Sequence, residues 1–189
     1  MSGKVLVIPE DPQNNGYILR PFVQRILEEA SFPARDVTIL SDPRPTGFDA
    51  ALRIIKSDEL AQRWGKFAQI WLFIPDSDRA ESAAMSELER SLAERGITLL
   101  CCPAIPELEA WLLAGSDQQW TDPWREMRES MQFKEHYAEP FLAQFGNASA
   151  PGGGRGELAA KALRNWSRII SRCSEIQGLV LRLRSLSKG

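Results

Sequence analysis

Acidic side chains follow the apolar segments of this chain at spacings that could hold a divalent cation. Asp76 and Asp78 come directly after the apolar run 70–74, and Glu10 comes soon after the first apolar run, 5–8. Two carboxylates two residues apart in an extended chain point to the same side, so both can face one hard cation. With Glu10 as a third ligand, this set predicts a site for Mg²⁺ or Mn²⁺. Such an ion polarises a phosphate oxygen and lowers the pKa of a bound water.

Each of these acids also has a structural interpretation. Asp76 and Asp78 could form an ordinary turn after a strand, because Asp favours turns. Glu107 and Glu109 lie in the first turn of the helix predicted over 107–114, where the helix dipole stabilises an acid by about 0.3–1 kcal/mol. Because these two glutamates follow the fourth predicted strand, they are also candidates for a second metal or for support of the first.

Several basic residues near these acids could contact phosphate. Arg79 directly follows the Asp pair and could clamp a phosphate or pair with a neighbouring acid. The glycine-rich run 152–156 contains Arg155 and precedes a predicted helix, as anion-binding loops do, although successive glycines are also typical of a linker. Lys134 is expected at the surface, with a phosphate contact as the alternative.

A basic stripe is predicted on the helix 157–172. Four cations recur there at spacings of three, four and four residues, which places them on one helix face: Lys161, Arg164, Arg168 and Arg172. A charged stripe is usually just the solvated face of a helix. Most solvated faces mix signs, however, so the single sign also fits a nucleic-acid cleft or an acidic protein partner.

Composition excludes several other chemistries. The 189 residues include one His and three Cys, so two-His zinc sites, a CxxC zinc site and a disulfide framework are ruled out. No Walker A motif and no GxGxxG after the first strand occur. No apolar run reaches the roughly 18 residues of a membrane span. We therefore expect a cytoplasmic, reduced protein without a membrane partner, in which carboxylates carry any chemistry.

The elements that must position these residues follow an α/β pattern. Four short apolar runs predict strands at 5–8, 37–40, 70–74 and 97–102. Helical spacing predicts helices over 21–30, 50–64, 81–95, 107–114, 157–172 and 176–186, with a turn at 14–16 and a turn residue at Asp11. Strands that are apolar on both faces and alternate with helices favour a mostly parallel four-stranded sheet with helices on both faces. The acids would then share the carboxyl edge of the sheet.

Two parts of the chain differ in composition. We predict an α/β core over 1–115 and a helical extension over 116–189 that packs on it, with a flexible connection at 148–156. Residues 1–150 carry a net charge of −8 and residues 151–189 a net charge of +6, from 8 basic and 2 acidic residues. The total of −2 argues against strong DNA binding by the chain alone. The sequence leaves the oligomeric state open, a homo-oligomer included.

The acidic pattern resembles the Toprim fold of topoisomerases, bacterial primases and related nucleases. In that fold a Glu follows the first strand and a later apolar strand ends in Asp-x-Asp, which here are Glu10, Asp76 and Asp78. The segments IPED, GYILRP, PDSDR, PELEAWLLAG and FKEHYAEPF look like a family of small bacterial Toprim-like proteins. Some proteins of this kind occur in phage-defence systems, often beside an ATPase.

The chain departs from these patterns at two places. Toprim proteins usually have a glycine directly after the first Glu, whereas Asp11 stands here. The small family tends to have an acid just before the YILRP stretch, whereas Asn14 and Asn15 precede it here. A neutral amide binds a metal less strongly than a carboxylate does, and it offers no base.

The resemblance implies a Mg²⁺- or Mn²⁺-dependent nuclease, a hydrolase with Glu10, Asp76 and Asp78 as catalytic and metal-binding residues. Its expected partners are DNA or RNA, and its expected biological role is in phage defence. Arg79, Arg155 and the basic stripe are the residues expected to contact the nucleic acid. The first alternative is a catalytically weak or inactive interaction subunit on a Toprim scaffold that binds an ATPase or another effector. A further alternative is a hydrolase of small phosphate esters or nucleotides.

Overall fold

Four parallel strands form the single sheet of the described structure, a computed structural model that describes residues 3–77 and 81–187. The strands are β1 (Gly3–Pro9), β2 (Ala34–Ile39), β3 (Ala68–Ile74) and β4 (Leu99–Cys101). Their order is β2-β1-β3-β4, and every neighbouring pair is parallel. The predicted α/β class and the four-stranded parallel sheet are confirmed, whereas β4 is shorter than the run 97–102. Two predicted site residues, Asp78 and Arg79, lie outside the described residues.

Alternate residues of β1, β3 and β4 enter two separate hydrophobic cores, as a sheet covered on both faces requires. Val5 and Val7 join a core with the helices α1 (Pro12–Glu29) and α5 (Glu109–Gly115). Leu6 and Ile8 join the opposite core, which is built with α2 (Phe48–Lys56), α3 (Asp58–Trp64) and α4 (Ser82–Ala93).

The first helix begins earlier than its sequence pattern suggests. Asp11 is its N-cap and accepts a hydrogen bond from the Gln13 N–H at 2.9 Å, and Pro12 occupies the first turn. Residues 14–16 therefore lie inside α1, and the predicted turn there is wrong. Pro21 also lies inside the helix, where burial of the flanking apolar side chains outweighs the hydrogen bond that proline cannot donate.

Two other predicted helices are divided. Ser57 ends α2 and caps α3, so the predicted helix 50–64 is two helices. The predicted helix 157–172 is likewise broken into α8 (Arg155–Ala162) and α9 (Trp166–Arg172) by a 3-10 turn over Leu163–Asn165.

The helical extension shares the core that contains α1 and α5. Its other elements are α6 (Trp124–Glu129), a π-helical turn (Lys134–Ala138), α7 (Glu139–Phe145), a 3-10 turn (Pro151–Gly154) and α10 (Ser174–Leu186). An almost fully buried ion pair at 2.9 Å joins Arg128 to Glu175, which also accepts a hydrogen bond from the Trp111 indole. None of the helices within the described residues is long and apolar enough to cross a membrane.

Candidate carboxylate site

The strand order creates a crevice at the carboxyl ends of β1 and β3. From β1 the chain continues to β2 on one side, whereas from β3 it continues to β4 on the other. Ligands of open α/β sheets bind in the crevice where the strand order reverses in this way. Glu10 follows β1 directly and Asp76 follows β3, so both lie at this point.

Glu10 and Asp76 are joined by a direct hydrogen bond. The parallel register pairs Pro9 with Ile74, which brings the residues after the two strands side by side. A carboxylate oxygen of Glu10 accepts a hydrogen bond from the Asp76 backbone N–H at 3.0 Å. The structure thus brings together two acids that are 66 residues apart in the chain.

Asp76 also connects β3 to the segment that precedes α5. Its carboxylate oxygen accepts a hydrogen bond from the Leu108 N–H at 3.0 Å. The next residue, Ser77, donates its backbone N–H to the carbonyl oxygens of Ala104 and Pro106, and its hydroxyl donates to Pro106 at 3.1 Å. Because these bonds hold the start of α5 against β3, Glu107 lies near Asp76 and also near Glu109, the first residue of α5. The sequence contained no signal for this role of Ser77.

Glu107 lies in an environment that disfavours its charge. Burial raises the pKa of its carboxyl to about 8, with further contributions from the negative charges of Glu109 and Asp76. Lys134, in the π-helical turn, acts in the opposite direction. At neutral pH the Glu107 carboxyl therefore keeps its proton, in contrast to an ordinary surface glutamate.

Arg155 compensates the charge of Glu109. Its guanidinium donates from Nε and Nη2 to one Glu109 oxygen at 3.3 and 3.2 Å, and from Nη1 to the Gly152 carbonyl at 3.1 Å. Both side chains of the ion pair are largely buried, with exposed fractions of 20% and 14%. Arg155 thus lies at the acid cluster, where the sequence predicted a phosphate contact, and its observed contacts fix Glu109.

The glycine run before Arg155 is a packed turn, so the prediction of a flexible connection there is wrong. Gly152, Gly153 and Gly154 all have positive φ, between 64° and 77°. A side chain at Gly152 would collide with the ring of Tyr17 in α1. Only glycine adopts this conformation without strain and leaves room for the ring.

The predicted basic stripe is split into two pairs with different contacts. Arg168 donates to the Ser116 carbonyl at 2.6 Å, and Arg172 donates to the Ala114 carbonyl at 3.1 Å, so both hold the segment after α5. Lys161 and Arg164 instead line a cavity beside the end of that helix. The prediction of one continuous helix face is wrong, because a 3-10 turn over Leu163–Asn165 interrupts the helix between the two pairs.

The donor set at the crevice suits a hard cation in chemistry, since it consists of carboxylate oxygens. Within residues 3–77 and 81–187, however, no group of three or more His, Cys, Asp or Glu side chains is arranged to hold a metal ion. Asp78, the third member of the predicted set, is outside these ranges. The structure therefore supplies a linked pair, Glu10 and Asp76, with Glu107 and Glu109 beside it.

Comparison with protein-family models, curated proteins and solved structures finds no match to this chain. The resemblance to Toprim proteins therefore rests on the sequence motifs alone.

Proposed function

We propose that this protein is a Mg²⁺- or Mn²⁺-dependent phosphodiester hydrolase of Toprim type that acts on nucleic acid in phage defence. One observation carries the proposal: at the crevice of a parallel sheet, the Glu10 carboxylate accepts a hydrogen bond from the backbone N–H of Asp76, which brings the two acids side by side. The raised pKa of Glu107 supports it, because burial, its largest cause, acts together with the negative charges of Glu109 and Asp76. A divalent ion would relieve this repulsion.

The proposal gives each residue of the site a task. Glu10, Asp76 and Asp78 would hold the cation, with Glu107 and Glu109 as candidates for further ligation. When bound, the ion would polarise the phosphate and lower the pKa of a water. Arg155 keeps Glu109 in place at 3.2 Å, and Arg79 is the candidate for a phosphate contact.

Isosteric variants separate the charge of these acids from their hydrogen bonds. Glu10→Gln and Asp76→Asn each remove one negative charge and keep a carbonyl oxygen that can accept the backbone N–H. Asp11→Asn is the matched control, because it removes a charge at the same sheet edge, and Asn remains a good helix N-cap. The assay is cleavage of labelled DNA and RNA, single- and double-stranded, with Mg²⁺ or Mn²⁺.

We expect wild type and Asp11→Asn to cleave at least one substrate at similar rates. Glu10→Gln and Asp76→Asn should each lose at least about a hundredfold in rate, as expected when a charged metal ligand is removed. Cleavage by Asp76→Asn at the wild-type rate would contradict the proposal.

A second candidate function, a non-catalytic interaction subunit, is favoured by the hydrogen bonds themselves. Glu10 and Asp76 each accept a backbone N–H, and together they join β1, β3 and the start of α5. Carboxylates with this structural task could be kept without catalysis, on a scaffold that binds an ATPase or another effector. This candidate predicts that Glu10→Gln and Asp76→Asn leave protection of phage-challenged cells unchanged, whereas a hydrolase requires that protection be lost.

A further inference from the structure

A cavity of about 380 Å³ lies at the end of α5, between α7 and α8. Its volume falls within the range of small-molecule sites. The floor is apolar and is formed by Leu112, Phe141 and Leu158, all of which are buried. Phe145 lines the same cavity, packs against Phe141 with 5.2 Å between the ring centroids, and exposes 39% of its surface. The cavity therefore offers a partly exposed aromatic ring to a ligand from solvent.

The cavity also has two cations without an acidic partner. Lys161 and Arg164 line it and are exposed, and neither forms an ion pair with any acid among the described residues. The acid in the lining, Asp117, already accepts hydrogen bonds from Asn165 at 2.9 Å and from Arg168 at 3.4 Å. An apolar and aromatic floor beneath unpaired cations complements a ligand that combines a flat ring with negative charge.

The cavity and the ion pair between Glu109 and Arg155 lie along the same two helices, α5 and α8. At their beginnings, Glu109 of α5 and Arg155 of α8 form the ion pair at 3.2 Å. At their ends, Gly115 lies so close to Ala162 that a side chain on Gly115 would collide with the Ala162 carbonyl oxygen. The two helices therefore run side by side in the same direction. Six residues at 1.5 Å each place the end of α5, which lines the cavity, about 9 Å along the helix from Glu109. This is the rise of two to three stacked nucleotides.

We propose that this cavity binds a nucleotide, with the base stacked on Phe145 and the phosphate on Lys161 and Arg164. The inference rests on the proposed function for its biological meaning, since the cavity would hold a strand whose next phosphates reach Glu10 and Asp76. A free mononucleotide has the same chemistry as one unit of a strand, and the experiment distinguishes the two sources.

The test measures binding without any divalent ion, so it does not depend on catalysis. Fluorescence anisotropy in EDTA follows a labelled ten-nucleotide single strand, as DNA and as RNA, with the full chain. Unlabelled mononucleotides then compete. The pocket variants are Phe145→Ala, Phe145→Trp, and the double variant Lys161→Glu/Arg164→Glu, each checked for a wild-type thermal unfolding profile.

Matched controls lie elsewhere on the fold. Arg53→Glu/Lys56→Glu reverses two exposed charges at the same spacing, in a helix on the opposite face of the sheet. Phe67→Ala removes an aromatic ring that is 69% exposed, just before β3 begins and thus at the edge opposite the acids.

We expect Phe145→Ala to weaken strand binding at least about fivefold, since stacking of one base on an aromatic side chain has this size or more. Phe145→Trp, which keeps an aromatic ring, should bind the strand about as tightly as wild type. The double charge variant should weaken binding more than tenfold and reduce the slope of log K against log salt by about 1.4, for two lost phosphate contacts on a single strand. The controls should bind like wild type.

If a mononucleotide displaces the labelled strand, the site accepts free nucleotides. If the strand binds and a mononucleotide does not displace it, the site is specific for a strand. Wild type that binds neither probe, or pocket variants that bind like their controls, would overturn the inference. If wild type cleaves nucleic acid and the pocket variants bind the strand like wild type, the proposed function stands and the nucleotide site is refuted. If the pocket variants lose strand binding but wild type cleaves nothing, the nucleotide site stands and the proposed function is refuted.

Discussion

Glu107 should make the protein less stable as the pH rises from acidic to mildly alkaline values. In the folded protein its pKa is about 8, against 4.5 for the unperturbed group, and burial is the largest cause. Below about pH 4.5 the carboxyl is protonated in both states and has no effect on the pH dependence. Between pH 4.5 and 8 the unfolded chain loses this proton while the folded protein keeps it.

The magnitude follows from the difference between these two pKa values. Each pH unit in that interval lowers the free energy of unfolding by at most about 1.4 kcal/mol per proton. The full interval gives an upper bound near 5 kcal/mol, and because the side chain is only half-buried, screening by water reduces this to roughly 2 kcal/mol. Glu107→Gln has nearly the same shape without the titration, so it should be more stable than wild type by about this amount at pH 8 and nearly equal at pH 4.5.

Urea denaturation at pH 4.5, 6 and 8, followed by circular dichroism, measures this difference. Other groups titrate in the same range, so the informative quantity is the free energy of unfolding of the variant minus that of wild type. A difference that grows with pH supports the reasoning. If the difference stays constant across this range, Glu107 titrates normally in the folded protein, and the raised pKa argued from its burial and its acidic neighbours is refuted.

Two further predictions concern the elements that surround the acids. Arg155→Met should lower the free energy of unfolding by about 2 kcal/mol, because it leaves the charge of Glu109 largely buried without its partner. Adding Glu109→Gln should recover at least about 1 kcal/mol, as measured by urea denaturation. If the effects of the two substitutions on the free energy of unfolding simply add, the two side chains are not coupled. Gly152→Ala should cost at least about 2 kcal/mol, because a side chain there meets Tyr17 at a positive φ. Gly178→Ala, in a helix with open space around the added methyl group, should instead stabilise by up to about 1 kcal/mol; equal thermal shifts in the two glycine variants would contradict the packed turn.

The parallel sheet was predictable because its signal is local. Runs such as 5–8 are apolar at every position, and the structure shows why: Val5 and Val7 enter one core while Leu6 and Ile8 enter the other. Once the sheet is parallel, the residues after its strands share one edge, which is how Glu10 and Asp76 meet. The strand pattern thus predicted the shared edge, whereas the contact between acids 66 residues apart also depends on β1 and β3 being neighbours in the sheet.

Other features of the fold and the site depend on tertiary contacts that no local sequence pattern predicts. The start of α1 is set by the Asp11 cap and by burial of its apolar face, against a turn-like Asn-Asn-Gly. Arg155 reaches Glu109 only because three glycines turn against Tyr17, and the sequence showed a linker there. The basic stripe was predicted from helical spacing, but a 3-10 turn over Leu163–Asn165 interrupts the helix. Arg168 therefore binds the segment after α5, whereas Lys161 lines a cavity.

We propose that the acids at the carboxyl edge of the sheet act together as one divalent-cation site. Titration of Mn²⁺ into the full chain, followed by electron paramagnetic resonance of the free ion, measures this directly. We predict one bound ion per chain in wild type and in Asp11→Asn, with affinity at least about tenfold weaker in Glu10→Gln and in Asp76→Asn. Mn²⁺ binding of equal strength in all four proteins, or none in wild type, would contradict the claim.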